Sequence, residues 1–167
     1  MGYATRADLL ARTNARRLAQ LAVPADVAMV PLEVMRAALD GSATGTLDTA
    51  TAQAVALALQ AVDKALGDAD ALMQSYGVPA TATGTMLTRI ACTLAMYYLQ
   101  GAERLEKDEI SAYDGVISLL KQYRRGEIDL TPGVPADPAE PEGDLVSMES
   151  APARYGSSGE SYGWSET

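Results

Sequence analysis

The sequence predicts an all-α fold: a small helical bundle around one long central helix, with an extended Pro/Ser/Gly-rich C-terminal arm. Three observations point that way. Apolar residues make up 48% of the 167, yet Phe is absent, so the core must come from Leu, Val, Ile, Met and Ala on closely approaching helices. Between Val55 and Tyr76 the apolar positions step by four and three without a break. Pro and Gly then punctuate the chain at helix-length intervals.

The first helical signal is Thr5 followed three residues later by Asp8, where hydroxyl and carboxylate can meet the free N–H groups of a starting helix. Leu9, Leu10, Leu18 and Leu21 continue it as a short or broken segment that ends before Pro24. Pro31 sits where a first helical residue is favoured, and Leu32, Met35 and Leu39 repeat at helical spacing until Gly41 supplies a stop. The run 41–46 reads as a loop. It lacks the D-x-D-x-D-G pattern of a calcium loop, and Asp48 is a good N-cap for a new helix.

From Asp48 to Tyr76 the stripe is Val55, Leu59, Val62, Leu66, Ala69, Met73 and Tyr76. A helix of that length spans about 40 Å and serves as the post on which shorter helices pack. A coiled-coil dimer is the rival reading of the same heptad. Gly77 and Pro79 close the helix, Ala80 to Gly84 form a small-residue connector, and Leu87, Ile90, Ala91, Leu94 and Tyr98 mark one face of the next helix, which ends at Gly101 or just beyond it. Ile110, Tyr113, Ile117 and Leu120 give the stripe of a last helix. Lys121, Arg124 and Arg125 complement its C-terminal dipole, and Gly126 is a natural residue just beyond its end.

After Thr131 the composition changes to PGVPADPAEPEGD and then to a Ser- and Gly-rich stretch carrying Tyr155, Tyr162 and Trp164. Such a segment buries too little apolar area to offset its chain entropy, and takes a fixed shape only against something else. The expected organisation is thus a helical domain over 1–131 and an extended acidic arm over 132–167. Charge divides the same way: the arm holds seven acids against Arg154, net −6, and the body fifteen acids against twelve bases, net −3, which together give the chain's −9.

Several function classes lose their usual residues. His is absent, which removes the commonest general base and the commonest zinc and iron ligand. The lone Cys92 lies in an apolar run and reads as an inert packed thiol. An enzyme would have to rest on carboxylates such as Asp63, Asp68 and Asp70, or Glu103, Glu106 and Glu109. Asp63 and Asp70 do share a helix face, but no Glu-x-x-His motif accompanies them, and no cleft that would perturb a carboxylate is apparent in the sequence. No catalytic residue, metal or cofactor is expected. An acidic chain also disfavours tight DNA binding, although Arg12, Arg16 and Arg17, or Lys121, Arg124 and Arg125, could touch a passing duplex. The N-terminus reaches charged residues too soon for a signal peptide, and no apolar run of about 18 residues suits a membrane span. The expected place of synthesis is the cytosol.

Short motifs in a fixed order resemble the small helical proteins of Mu-like phages and prophages grouped with head-tail connectors. They are Tyr3-Ala4-Thr5-Arg6-Ala7-Asp8-Leu9, Ala69 through Tyr76, Pro79, Leu87 through Cys92, Tyr97-Tyr98-Leu99, Tyr113-Asp114 through Leu120, Arg125-Gly126 and Leu130. The family usually has an acid at the position of Ala7, residues 24–47 carry no strong signature, and the acidic segment after 131 reads as particular to this chain. The resemblance implies a non-catalytic adaptor: a homo-oligomeric ring of about twelve copies in the virion neck below the portal, continuing the DNA channel and assembled in the host cytoplasm. Implied partners are the portal protein, other neck or tail-completion proteins and further copies of the chain, with DNA in transient contact only and no membrane. In that setting Tyr155, Tyr162 and Trp164 read as anchors on a partner with Arg154 as a charge clamp, and Glu103, Arg104 and Lys107 as a ring interface that fixes register. A solvated charged face is the plain alternative for the last three. Two other functions stay open, a coiled-coil interaction module outside the virion and another head-completion component such as a stopper.

Overall fold

The computed structural model describes residues 2–101 and 107–131, which lie in the first of two units, Met1–Val134 and Pro135–Thr167. Among the described residues there are six helices and no strand: α1 Arg6–Arg12, α2 Ala15–Ala22, α3 Leu32–Asp40, α4 Thr49–Ser75, α5 Thr85–Gln100 and α6 Lys107–Arg124.

Most of the starts and stops have a local cause. Thr5 and Asp8 form the reciprocal capping box expected of them. The broken first segment divides at Thr13 and Asn14, because the Asn14 side chain accepts the Arg17 N–H at 2.7 Å and begins α2 afresh. Pro31 stands one position before α3, as its N-cap. Gly41 closes α3 at φ +78°, a left-handed conformation that costs glycine least. Asp48 caps α4 by accepting the Thr51 N–H, and the Thr51 hydroxyl together with that N–H holds its carboxyl below the ordinary range.

The expected stripe of α4 is the face it buries. Val62, Ala69 and Met73 have no exposed surface, Val55 and Leu66 very little, and Leu59 and Tyr76 pack against the same core. Beside that row runs a second one of small residues, Ala54, Ala58 and Ala65. α5 contributes Leu87, Ile90, Ala91, Leu94 and Ala95. The two helices form a hairpin with the most extensive interface in the fold. Small side chains let the backbones approach, so Leu and Met fill what space remains. α1, α2 and α3 pack on the hairpin and on one another, and α6 rests chiefly on α5. The stripe of α4 is therefore occupied within one chain, by α2, α3 and α5.

Two apolar positions depart from expectation. Leu32 is 41% exposed and Ile110 40%. In α6 the expected Leu120 is buried and the expected Tyr113 packs partly buried on the core, but with Val116 and Tyr123, and Leu119 beside them, in place of Ile110 and Ile117. Both sets step by three and four, and tertiary packing on α5 selects between them.

The N-terminal segment ties the hairpin at its closed end. Tyr3 donates its N–H to Asp70 Oδ1 at 3.0 Å and its hydroxyl to the Val78 carbonyl at 2.8 Å, while its own carbonyl accepts from Thr88 Oγ1 at 2.9 Å. One residue thus bridges α4, the turn after it and α5. Burial, then the nearby Asp70 carboxylate and Tyr123, raise the Tyr3 phenol above its ordinary value and keep it a neutral donor. A side chain at Gly2 would collide with the Asp70 carboxylate.

Tyr3→Phe should leave the buried Val78 carbonyl without its donor and cost about 1–3 kcal/mol, read as a lower urea midpoint at unchanged slope. Thr5 holds the Asp8 carboxyl below its ordinary 3.8. A depressed folded-state value means the stabilisation is present above that ordinary value and is lost as pH falls through the folded one. Urea midpoints between pH 6 and acid should therefore fall less steeply in Asp8→Asn than in the parent chain, and parallel curves would contradict the cap's role.

Candidate functional site

Beside the hairpin, α1, α2, α5 and α6 enclose a cleft of about 490 Å³. The α1–α2 junction brings Arg12, Asn14 and Arg17 to one wall, α5 supplies Arg89, Cys92, Met96, Tyr97 and Gln100, and Glu109 comes from the first turn of α6. Arg17 and Glu109 form an ion pair. The Gln100 Nε2 donates to the same Glu109 Oε1 at 2.6 Å, which fixes the amide's orientation. The Gln100 Oε1 is buried without a donor. The rings of Tyr97 and Tyr113 stack at 3.9 Å and 17°, fastening α6 to α5, and Tyr98 meets Tyr97 edge-on at 5.9 Å. Burial, then Tyr113, pushes the Tyr98 phenol up to about 12.

Cys92 lies in the wall of this cleft, 2% exposed. Burial pushes its thiol up to about 11, and Arg12, which pulls the other way, does not overcome it. A thiol held protonated at neutral pH is a poor nucleophile.

Of the carboxylates weighed as an acid site, Asp63, Asp70 and Glu109 have structural partners, and Glu103 and Glu106 lie outside the described residues. Asp63 takes a bidentate ion pair from Arg6, and Asp70 holds the Tyr3 N–H. Their shared face is the groove that grips residues 3–6. Among the described residues no group of three or more His, Cys, Asp or Glu side chains could hold a metal ion, and no helix is long and apolar enough to cross a membrane.

The basic run of α1–α2 is divided. Arg12 and Arg17 face the cleft, whereas Arg16 lines a separate groove with Met29, Val30 and Leu32. Arg125 pairs with Glu127 at 3.6 Å. Of the residues expected at a ring interface, Lys107 opens α6 on the surface. Glu103 and Arg104 lie outside the described residues, as do Arg154, Tyr155, Tyr162 and Trp164. Sequence spacing gives no sign of Arg89, Gln100 or the role of Glu109, since only the fold brings them beside Arg12 and Arg17; the Arg17–Glu109 pair joins residues 92 positions apart.

A family model described as "Bacteriophage Mu, Gp36" matches residues 3–150. The chain belongs to the bacteriophage Mu Gp36 family. Membership makes it a phage protein and suggests a structural or morphogenetic role. The match runs past Thr131, where the motif resemblance stops, so residues 132–150 of the acidic segment fall within what the family model covers. No curated protein matches it.

Iodoacetamide at neutral pH should leave Cys92 unmodified in the native protein and label it in urea, as read by intact mass. Stoichiometric labelling of the folded chain would show that the thiol is reachable and contradict its packed role.

Proposed function

We propose that this protein is a head-tail connector subunit, a non-enzymatic adaptor that forms a homo-oligomeric ring in the neck of a phage virion, below the portal, and continues the DNA channel. The observation that carries this reading is the Gp36 family match over 3–150. Three physical features support it. The bundle closes its own core within one chain, so a subunit can fold before it assembles. Its surface leaves Met29, Leu32, Leu57, Met86 and Ile110 exposed, distributed over α3, α4, α5, α6 and the segment before α3. A cyclic head-to-tail ring requires two different faces on each subunit, and a single self-complementary patch would not provide them. Two of the carboxylates that might have done chemistry, Asp63 and Asp70, are occupied in fastening the N-terminus.

On this reading the chain assembles in the host cytoplasm and resides in the virion neck. The portal protein and other neck or tail-completion proteins are its partners, DNA makes only transient contact, and the arm beyond residue 131 supplies attachment through Arg154, Tyr155, Tyr162 and Trp164. The start of α6, with Lys107 and Asp108 exposed, and the preceding Glu103 and Arg104 set the register between neighbours. The coiled-coil module is less well supported, because the heptad face of α4 is already covered by helices of the same chain.

Mass measurement on the protein alone and after mixing with its phage's portal ring should show a shift to a stoichiometric ring on the portal. A stable free dimer that ignores the portal would contradict the proposal. A chain ending at Thr131 should keep its helical circular dichroism but attach less well to the neck, and undiminished attachment would remove the arm from the interface.

A further inference from the structure

The arginine cleft has three features that together describe a ligand. First is charge. Arg12, Arg17 and Arg89 line it against the single carboxylate of Glu109, and Glu109 is already engaged by Arg17 and Gln100. Among the described residues neither Arg12 nor Arg89 forms an ion pair. A cationic pocket on a chain of net charge −9 concentrates positive potential where an acidic group can use it.

Second is the unmet acceptor. Gln100 is 7% exposed, and its Oε1 has no donor. Turning the amide over would set its oxygen against the Glu109 carboxylate, so the orientation is held by charge as well as by geometry. A buried carbonyl oxygen left without a donor is costly, and a ligand N–H that reaches it as the cleft wall gives way relieves that cost.

Third is the continuation of the cleft. Arg89, Thr93 and Ala112 are also the wall of a second trough, of about 300 Å³, between α5 and α6, where Met86, Ile90 and Val116 are among the lining residues. The path along α5 therefore changes from cationic to apolar.

We infer that this continuous groove is the docking site for an extended acidic peptide segment of a partner protein, with carboxylates at the arginine end and aliphatic side chains in the trough. A backbone N–H of the peptide meets the Gln100 oxygen once that side chain turns toward the cleft. A nucleic-acid backbone offers phosphates to the arginines but nothing for an apolar trough. From Met86 to Gln100 the helix rises about 21 Å, which an extended peptide covers in about six residues. The site is read from the described residues alone and does not depend on a ring.

The test uses the full chain and a labelled synthetic peptide with Glu residues at one end and Leu and Val at the other, followed by fluorescence anisotropy. Saturable binding that weakens with added salt is expected. The double variant Arg12→Gln, Arg89→Gln should weaken it about tenfold. Met86→Glu should weaken it through the apolar end, while Arg16→Gln, a loss of charge in the other groove, should leave it unaltered. All the substituted side chains are exposed, and circular dichroism with a urea midpoint verifies that each variant folds. The inference is overturned by no saturable binding, by equal loss in Arg16→Gln and the double variant, by equal affinity for a peptide with Gln in place of Glu, or by displacement of the peptide by a short DNA duplex.

Discussion

The close approach of α4 and α5 is the constraint on which the rest of the fold depends. A chain without Phe builds this interface from Leu, Met, Val and Ala, and Ala54, Ala58 and Ala65 on α4 with Ala91 and Ala95 on α5 let the two helices come close. Dispersion and burial then come from Leu87, Leu94, Val62 and Met73, each fully enclosed and each contributing about 1.5–3 kcal/mol against exposure. The hairpin, once formed, offers the two surfaces on which α1 to α3 and α6 settle. Tyr3 fastens the N-terminus across it with three hydrogen bonds to separate elements.

Much of this is legible in the sequence because local rules and tertiary packing agree. The capping box at Thr5, the Asp48 cap, the glycine stops and the α4 stripe all sit where spacing puts them. The Ala row of α4 is less visible, since alanine is compatible with either face of a helix and only a partner helix decides. For the same reason spacing alone places only half of the α6 stripe: Tyr113 and Leu120 pack as expected, but Ile110 and Ile117 are as apolar as Val116 and Tyr123, and tertiary packing selects the latter pair. Pairs such as Asp63 with Arg6 and Asp70 with Tyr3 carry no local signature, so carboxylates that share a face invite a chemical reading until their structural partners are seen.

The candidate site shows the limit more sharply. Arg12 and Arg17 are noticeable as a basic run, yet their neighbours are chosen by the fold. The run is split by the helix break at Asn14, which turns Arg16 away into another groove and leaves Arg12 and Arg17 facing Arg89 and Gln100. A single capping side chain therefore decides which charges act together. The family match supplies the biological setting, and the bundle supplies a core closed within one chain.

The central claim is that this body is a ring subunit of the neck, and a cryo-EM reconstruction of the neck of virions carrying this protein tests it most directly. The expected result is a closed ring of helical density beneath the portal into which the α4–α5 hairpin, with α1 to α3 on it and α6 beside α5, fits once per subunit. A neck whose density is fully explained by other proteins, with this chain absent from the purified particle, would contradict it.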